Sequence, residues 1–219
     1  MNYQDGKISV KKFSSEEIIS FRYSNLYRVS SLRLKKLSEL LCMDRIGGEA
    51  FRNNLLSAGI LLGKGLKDIT SKVNEELIAV VGIPRGGTPL VKGICKSIPK
   101  SRLFYSNAGN NADPNKLFLQ HDDFFQKCQL IIVADTLVNS GTTAEKTLSF
   151  LSQNYANCNI VLVSLITSAD GAYRLEKTFP RLNHYTSLIE KNTIWVKITK
   201  NINRRMIPII GDIGDLVSK

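Results

Sequence analysis

A carboxylate lies close in sequence to a group of small, hydroxyl-bearing residues in the stretch DTLVNSGTT, residues 135–143. The side chain of Asp135 repels phosphate but accepts hydrogen bonds from sugar hydroxyls. The residues after it offer hydroxyls and backbone N–H groups to a phosphate, especially where a helix begins. The combination fits a phosphorylated ribose, with Asp135 at the sugar and the following loop at the 5′-phosphate. The expected loop residues are Asn139, Ser140, Gly141, Thr142 and Thr143.

A second loop of similar character follows the apolar residues 77–83, and it suits a pyrophosphate group. Its sequence is Pro84-Arg85-Gly86-Gly87. The glycines expose backbone N–H groups, and the arginine adds a guanidinium that can bind phosphate oxygens in a bidentate manner. We therefore predict that Arg85, Gly86 and Gly87 bind pyrophosphate.

The elements that position these loops are predicted to be strands that run into helices. Residues 130–134 are all apolar, as in a strand buried on both faces of a parallel sheet, which puts Asp135 at the strand's carboxyl end. Residues 139–141 permit a tight turn with positive φ, and Thr142 or Thr143 is expected to cap a helix that begins just after them. In open α/β sheets, ligands bind at this edge.

The same strand-to-helix rhythm runs through most of the chain. In the second unit, Thr88 is expected to cap the helix and Pro89 to occupy its first position. Strands that alternate with helices predict an α/β fold with a parallel sheet flanked by helices. Further strands are predicted at residues 101–106, 159–167 and 184–189, and further helices at 49–69 and 171–179.

The predicted domain organisation is simple. Residues 1–24 are expected to form an irregular N-terminal extension with a short helix start near residues 14–21, and residues 25–219 to form a single domain. Residues 107–115 are rich in turn-forming residues and predict an exposed loop. Residues 207–215, with two Gly-Asp pairs, interrupt the rhythm and predict a shaped loop.

Composition narrows the classes of function. The net charge of +11 is compatible with nucleic acid, an anionic membrane surface or a polyphosphate substrate. Beyond the short runs RLKK, KKF and NRR no dense basic tract occurs, so charge alone does not decide among these partners. No apolar run approaches the roughly 18 residues of a membrane span, and the N-terminus lacks the apolar region of a secretory signal. Four widely spaced cysteines without a close pair, and only two histidines, favour reduced thiols in the cytoplasm over disulfides or a zinc site.

Three stretches together resemble the uracil phosphoribosyltransferases. The stretch IIVADTLVNSGTTA is similar to the motif with which this family binds 5-phosphoribosyl 1-diphosphate (PRPP). The stretch GIPRGGTPLVKGICKSIPKSRL is similar to its pyrophosphate loop and the following helix, and RMIPIIGDIGD to its base-binding C-terminal segment. The three occur in the family's order, and the resemblance spans roughly residues 27–215.

The resemblance implies a type I phosphoribosyltransferase fold with a small C-terminal hood that binds the base. It implies transfer of the phosphoribosyl group from PRPP to uracil or a related pyrimidine, with release of pyrophosphate and with Mg²⁺ carried by PRPP rather than held in a metal site of the protein. It further implies a cytoplasmic homodimer whose partners are PRPP and a nucleobase, not a membrane or a nucleic acid. Asp135 and Arg85 are the expected catalytic residues. The expected base-binding residues are Ile207, Gly211, Asp212 and Ile213.

Two other hypotheses remain at this stage. Ile209 and Ile213 are bulkier than the residues usual in this family's base pocket, which would suit an enzyme of the same fold with another nitrogenous acceptor. The positive net charge and the lack of an Arg in residues 107–119 would suit a nucleotide-sensing or RNA-binding regulator that does not turn over PRPP.

Overall fold

A seven-stranded sheet forms the centre of the protein. A computed structural model describes residues 8–12, 25–41, 48–84, 87–106, 115–190, 193–198 and 201–206. The strands are β1 (Ser9–Lys12), β2 (Leu26–Ser30), β3 (Ile78–Gly82), β4 (Arg102–Tyr105), β5 (Leu130–Val138), β6 (Asn159–Ser168), β7 (Asn183–Glu190), β8 (Thr193–Ile198) and β9 (Asn201–Met206). The helices are α1 (Leu32–Leu41), α2 (Gly48–Gly65), α3 (Lys67–Thr70), α4 (Thr88–Ser97), α5 (Asn115–Gln120), α6 (Asp122–Phe125), α7 (Thr142–Asn154) and α8 (Ala169–Thr178), with a 3-10 turn at Glu75–Leu77.

The order of strands in the large sheet is β1-β2-β7-β6-β5-β3-β4. All neighbouring pairs are parallel except β1 with β2, which is antiparallel. Helices connect the parallel strands, as parallel pairing requires. The predicted parallel sheet flanked by helices is therefore confirmed, and the predicted strands at 101–106, 159–167 and 184–189 correspond to β4, β6 and β7.

The central strands are apolar on both faces because helices cover both. On one face, alternate residues of β5 such as Ile132 pack with α1, α2 and α4. On the other face, Ile131 and Val133 pack with α6, α7 and α8. Side chains alternate along a strand, so Asp135 shares the face of Val133 and lies on the α7 side of the sheet.

Helices α2 and α4 approach each other closely at two glycines. A Cβ atom on Gly59 would lie 2.0 Å from the carbonyl oxygen of Leu90, and one on Gly93 would lie 2.2 Å from that of Leu56. Neither position tolerates a side chain without separating the helices. The predicted helix over 49–69 is interrupted after Gly65, so that Ile69 lies in α3.

Several elements differ from the sequence-based expectation. Residues 9–12 were expected to be irregular, but they pair with β2 and extend the sheet. Helices α5 and α6 and the β8–β9 hairpin were not predicted. The expected helix start near residues 14–21, the loop of residues 107–114 and the segment 207–215 lie outside the described residues, and the division of the chain at residue 24 stays a prediction.

Among the described residues, no helix has the length and apolar character needed to cross a lipid bilayer.

Candidate active site

The two strands that lead into the predicted ligand loops lie side by side in the sheet. Strands β3 and β5 are parallel neighbours, with Gly82 in register with Ala134. Just beyond β3, the N–H of Ile83 donates to the carbonyl of Ala134 at 2.9 Å. A Cβ atom on Gly87 would lie 2.7 Å from the carbonyl oxygen of Ile83 and 3.9 Å from that of Ala134. Gly87 therefore brings the start of α4 against the middle of β5, in a space that admits only glycine.

The start of α4 differs from the prediction in one respect. Gly87 already has helical dihedrals, with φ −78° and ψ −13°, so the helix begins at Thr88 with Gly87 as its N-cap and without a side-chain cap. Thr88 was expected to be that cap. Pro89, which was expected at the first position of the helix, is therefore its second residue.

Asp135 lies within β5 and not at its end. The strand continues to Val138 because its pairing with β6 extends to Thr167, so the expectation that Asp135 terminates the strand is wrong. The N–H of Leu137 donates to Oδ1 of Asp135 at 3.3 Å. This bond holds the carboxylate along the strand, four residues before the loop begins at Asn139.

A cavity of about 100 Å³ joins Asp135 to the loop that follows β5. Asp135 is the one charged side chain among the described residues that line it. The lining residues are Asp135, Leu137, Val138, Asn139, Ser140, Gly141, Thr142, Thr143 and Ala144. The structure thus brings together all six residues that the sequence assigned to ribose and 5′-phosphate.

The environment of Asp135 makes its ionised form less stable than it would be in water. A small part of the side chain is open to the cavity, and protein atoms surround the rest. Burial raises the pKa of Asp135 from 3.8 to about 7, although hydrogen bonds from the N–H groups of Leu137 and Thr136 oppose the rise. A ligand that donates hydrogen bonds to this carboxylate would compensate for its lost hydration.

The loop after β5 turns into α7 at a glycine in the left-handed region. Gly141 has a φ of 75° and is the N-cap of the helix, which begins at Thr142. The expected cap by Thr142 or Thr143 is therefore wrong, because the turn at Gly141 places both threonines inside the first turn. The Ser140 and Thr142 hydroxyls lie 3.1 Å apart. N–H groups in a first helical turn lack intrahelical partners and suit an anion.

A third element, the start of α8, supports this loop and was not identified from the sequence. The Ser168 hydroxyl donates to the carbonyl of Asn139 and accepts the N–H of Gly171 at 2.9 Å. A Cβ atom on Gly171 would lie 2.4 Å from the same Asn139 oxygen. A serine between a strand and a helix is recognisable from the sequence as an N-cap. Its contact with a loop about thirty residues earlier could be found only from the fold.

A buried polar cluster lies beside Asp135 on β6 and β7. Ser164 is in register with Asp135, and its hydroxyl lies 2.9 Å from Nε2 of His184. Thr167 Oγ1 lies 3.2 Å from the same nitrogen. Burial lowers the pKa of His184 from 6.5 to about 3, so this histidine is neutral at physiological pH. The cluster satisfies polar groups that would otherwise be buried without partners.

The remaining predicted site residues cannot be compared with the structure. Arg85 and Gly86 of the predicted pyrophosphate loop, and the predicted base-binding residues Ile207, Gly211, Asp212 and Ile213, lie outside the described residues. Within the described part of the chain, no group of three or more His, Cys, Asp and Glu side chains is arranged to hold a metal ion.

Comparison with known proteins identifies the family to which this arrangement belongs. The sequence profile of the uracil phosphoribosyltransferase family matches residues 62–217. A uracil phosphoribosyltransferase from Pyrobaculum arsenaticum is 26% identical over 149 residues, which cover 65% of this chain and 66% of that protein. One from Clostridium kluyveri is 30% identical over 146 residues, which cover 63% of each chain. The match thus spans slightly less than two thirds of these relatives' length.

The fold is shared with a solved structure, that of the AQ2163 protein from Aquifex aeolicus. Its TM-score is 0.67 at 20% identity, and the alignment covers 88% of this chain and 97% of that one. Because the family profile covers most of the chain, including both strand-to-helix loops, the chain belongs to the uracil phosphoribosyltransferase family.

Proposed function

We propose that this protein transfers the 5-phosphoribosyl group from PRPP to uracil or a related pyrimidine and releases pyrophosphate. The product is a nucleoside 5′-monophosphate. The observation that carries the proposal is the cavity lined by Asp135 and residues 137–144, in which a carboxylate and the start of a helix face the same small space. Family membership supports the reaction class, and the names of the curated relatives support uracil as the acceptor.

Asp135 is proposed to accept hydrogen bonds from the ribose hydroxyls. The loop of residues 139–143 holds the 5′-phosphate with the N–H groups of the first turn of α7 and with the hydroxyls of Ser140, Thr142 and Thr143. These contacts fix the sugar at one end. They leave C1 of the ribose directed away from α7, where the pyrophosphate loop can bind the leaving group.

The pyrophosphate is proposed to lie at the start of α4. Gly87 allows the backbone of this loop to approach β5 closely, and Arg85 and Gly86 contribute a guanidinium and a further N–H group. Mg²⁺ enters with PRPP as part of the substrate and offsets the negative charge that develops on the leaving pyrophosphate. Ile207, Gly211, Asp212 and Ile213 are proposed to bind the base edge.

The chemistry is a displacement at C1 of the ribose. The bond from C1 to the pyrophosphate oxygen breaks and its electron pair leaves with the pyrophosphate. A ring nitrogen of the base forms the new bond to C1 and loses its proton. A positively charged sugar develops between these events, and the ionised carboxylate of Asp135 lies on the side of the ribose hydroxyls, where its charge is favourable. We further propose that the protein acts as a cytoplasmic homodimer.

The test is pyrophosphate release by the purified protein with Mg²⁺ and PRPP, measured without a base and then with uracil, other pyrimidines, purines and azoles. Release that only uracil or a related pyrimidine stimulates is the expected result. Stimulation by a different base would replace the acceptor and retain the reaction class. Saturable PRPP binding without release for any base would contradict the transferase and favour a nucleotide-sensing regulator.

Two variants separate the roles assigned to the two loops. Asp135→Asn should lower the rate of pyrophosphate release and the affinity for PRPP. Arg85→Ala should weaken binding of PRPP more than binding of a nucleoside 5′-monophosphate, because only PRPP carries pyrophosphate. Equal losses for both ligands in Arg85→Ala would contradict the pyrophosphate assignment, and unchanged turnover in Asp135→Asn would contradict the assignment to ribose.

A further inference from the structure

We infer that Ser168 is a positioning residue for the 5′-phosphate loop, an inference that rests on the proposed function. Ser168 is the last residue of β6 and the N-cap of α8. Its side chain is fully buried. Its hydroxyl bonds to the loop at Asn139 and to α8 at Gly171, so we expect its effect on the ligand to pass through the loop.

The hydroxyl of Ser168 joins two segments that are distant in sequence. It accepts the N–H of Gly171 at 2.9 Å, which is an ordinary N-cap bond. It also donates its single hydrogen to the carbonyl of Asn139, the first residue of the loop. Because no water reaches this fully buried side chain, the loss of the hydroxyl would leave both partners to find other hydrogen bonds.

Backbone packing holds the loop against the same point. A Cβ atom on Gly171 would lie 2.4 Å from the carbonyl oxygen of Asn139 and 3.0 Å from that of Val138. A Cβ atom on Gly141 would in turn lie 3.0 Å from the carbonyl oxygen of Gly171. The loop and the first turn of α8 are therefore in direct backbone contact at both ends of the loop, and Ser168 provides the directed bond between them.

The bond determines the direction of one N–H group of the loop. A peptide unit is planar and trans, so the N–H of Ser140 points opposite to the carbonyl of Asn139. With that carbonyl held by Ser168, the N–H of Ser140 points away from α8. Residues 139 and 140 line both the cavity next to Asp135 and a groove of about 630 Å³ along α8, so the side of the loop away from α8 is the cavity side. Ser168 thereby keeps one N–H donor directed at the phosphate.

The chain contains a matched control for the capping role. Ser31 precedes α1, and its hydroxyl accepts the N–H of Leu34 at 3.1 Å, the same three-residue spacing as in Ser168 and Gly171. It follows β2, which is separated from β5 by β7 and β6. Ser168→Ala and Ser31→Ala each remove an N-cap, and only the first removes the bond to the loop. Ser168→Thr keeps a hydroxyl at the position.

The experiment measures binding of ribose 5-phosphate and of pyrophosphate separately by calorimetry, with thermal unfolding of each variant. Ser168→Ala should lower the affinity for ribose 5-phosphate by about tenfold, while the affinity for pyrophosphate stays within about twofold of the wild-type value. In turnover, KM for PRPP should rise more than kcat falls. Ser168→Thr should restore most of the affinity. Ser31→Ala should lower the unfolding temperature to a similar degree and leave both affinities unchanged.

Each other outcome overturns a specific statement. If folded Ser168→Ala binds ribose 5-phosphate as tightly as the wild type does, the positioning role is wrong and the proposed function is unaffected. Parallel loss of ribose 5-phosphate and pyrophosphate affinity also overturns it, since that pattern indicates general damage to the edge of the sheet. A wild-type protein that binds neither ribose 5-phosphate nor PRPP overturns the proposed function and this inference together.

Discussion

Replacing Asp135 by asparagine is expected to stabilise the protein and to impair its activity at the same time. The carboxylate is largely surrounded by protein, and burial raises its pKa from 3.8 to about 7. Asparagine has nearly the same shape and can still accept the hydrogen bond from the N–H of Leu137. It carries no charge, so it avoids the cost of holding an ionised group in this position.

The sign and the size of the effect follow from proton linkage. Between the two pKa values the folded state binds more protons than the unfolded state, so the wild type loses stability as pH rises from about 4 to about 7. At about 1.36 kcal/mol per pH unit, the raised pKa of Asp135 lowers the free energy of unfolding by about 4 kcal/mol over the whole titration. About 3 kcal/mol of this loss occur between pH 5 and pH 8. The Asn variant lacks this loss, so its advantage over the wild type should grow with pH.

The assay is urea unfolding of wild type and Asp135→Asn at pH 5 and pH 8, followed by pyrophosphate release at pH 8. Asp123→Asn, which changes an exposed carboxylate on α6, is the control for a change in net charge. The reasoning predicts a difference in free energy of unfolding that rises by about 3 kcal/mol between the two pH values for Asp135→Asn alone. A difference independent of pH would refute the argument that burial of the carboxylate costs stability.

Three further changes test the fold around the site. Gly141→Ala should lower the free energy of unfolding by at least about 1 kcal/mol, because the φ of 75° at this position disfavours a side chain, and it should also raise KM for PRPP. The control Gly48→Ala, at a φ of 68°, should lower stability without changing KM. Gly93→Ala would place Cβ 2.2 Å from the carbonyl oxygen of Leu56 and should cost about 3 kcal/mol in urea unfolding by forcing α2 and α4 apart. Burial lowers the pKa of His184 from 6.5 to about 3, so the wild type loses stability as pH falls and the unfolded chain binds a proton that the folded protein does not. Between pH 7 and pH 5, the free energy of unfolding of His184→Gln should therefore fall by about 2 kcal/mol less than that of the wild type.

Each of these predictions has an outcome that contradicts it. A Gly141→Ala variant that keeps the wild-type KM would separate the turn from ligand binding. Asn53→Ala, at an exposed position of α2, is the control for Gly93→Ala, and equal stabilities would mean that the close helix contact is dispensable. Parallel unfolding profiles against pH for His184→Gln and wild type would show that this histidine is not held neutral by the fold.

The sequence was sufficient for the parts of the fold that depend on local pattern. Strand β3, residues 130–134 of β5 and residues 160–163 of β6 are apolar runs, and such runs identify strands buried on both faces without any knowledge of their neighbours. The glycine-containing loops after β3 and β5 could also be located, because they follow these apolar runs in the sequence. Strand β1 could not, because Ser9–Lys12 is short and polar and is a strand only through its pairing with β2.

Details of the site that depend on tertiary contacts were not accessible from the sequence. Thr142 and Thr143 have the side chains of good helix caps, but the helix begins where Gly141 adopts a positive φ, and that depends on the fit between the loop and α8. Ser168 is an ordinary N-cap by sequence. Its bond to Asn139 exists only because β6 and β5 are neighbours that end at the same edge.

The extension of β5 beyond the apolar run also has a consequence for recognition of the ligand. A carboxylate directly beside a phosphate loop would repel the phosphate. The structure places Asp135 three residues before Val138, the end of the strand. At about 3.3 Å per residue, the backbone positions of these two residues are about 10 Å apart. That separation leaves room for a sugar between the carboxylate and the N–H groups at the start of α7. In the proposed function, the additional pairing with β6 up to Thr167 would therefore allow one strand to serve two groups of opposite electrostatic preference.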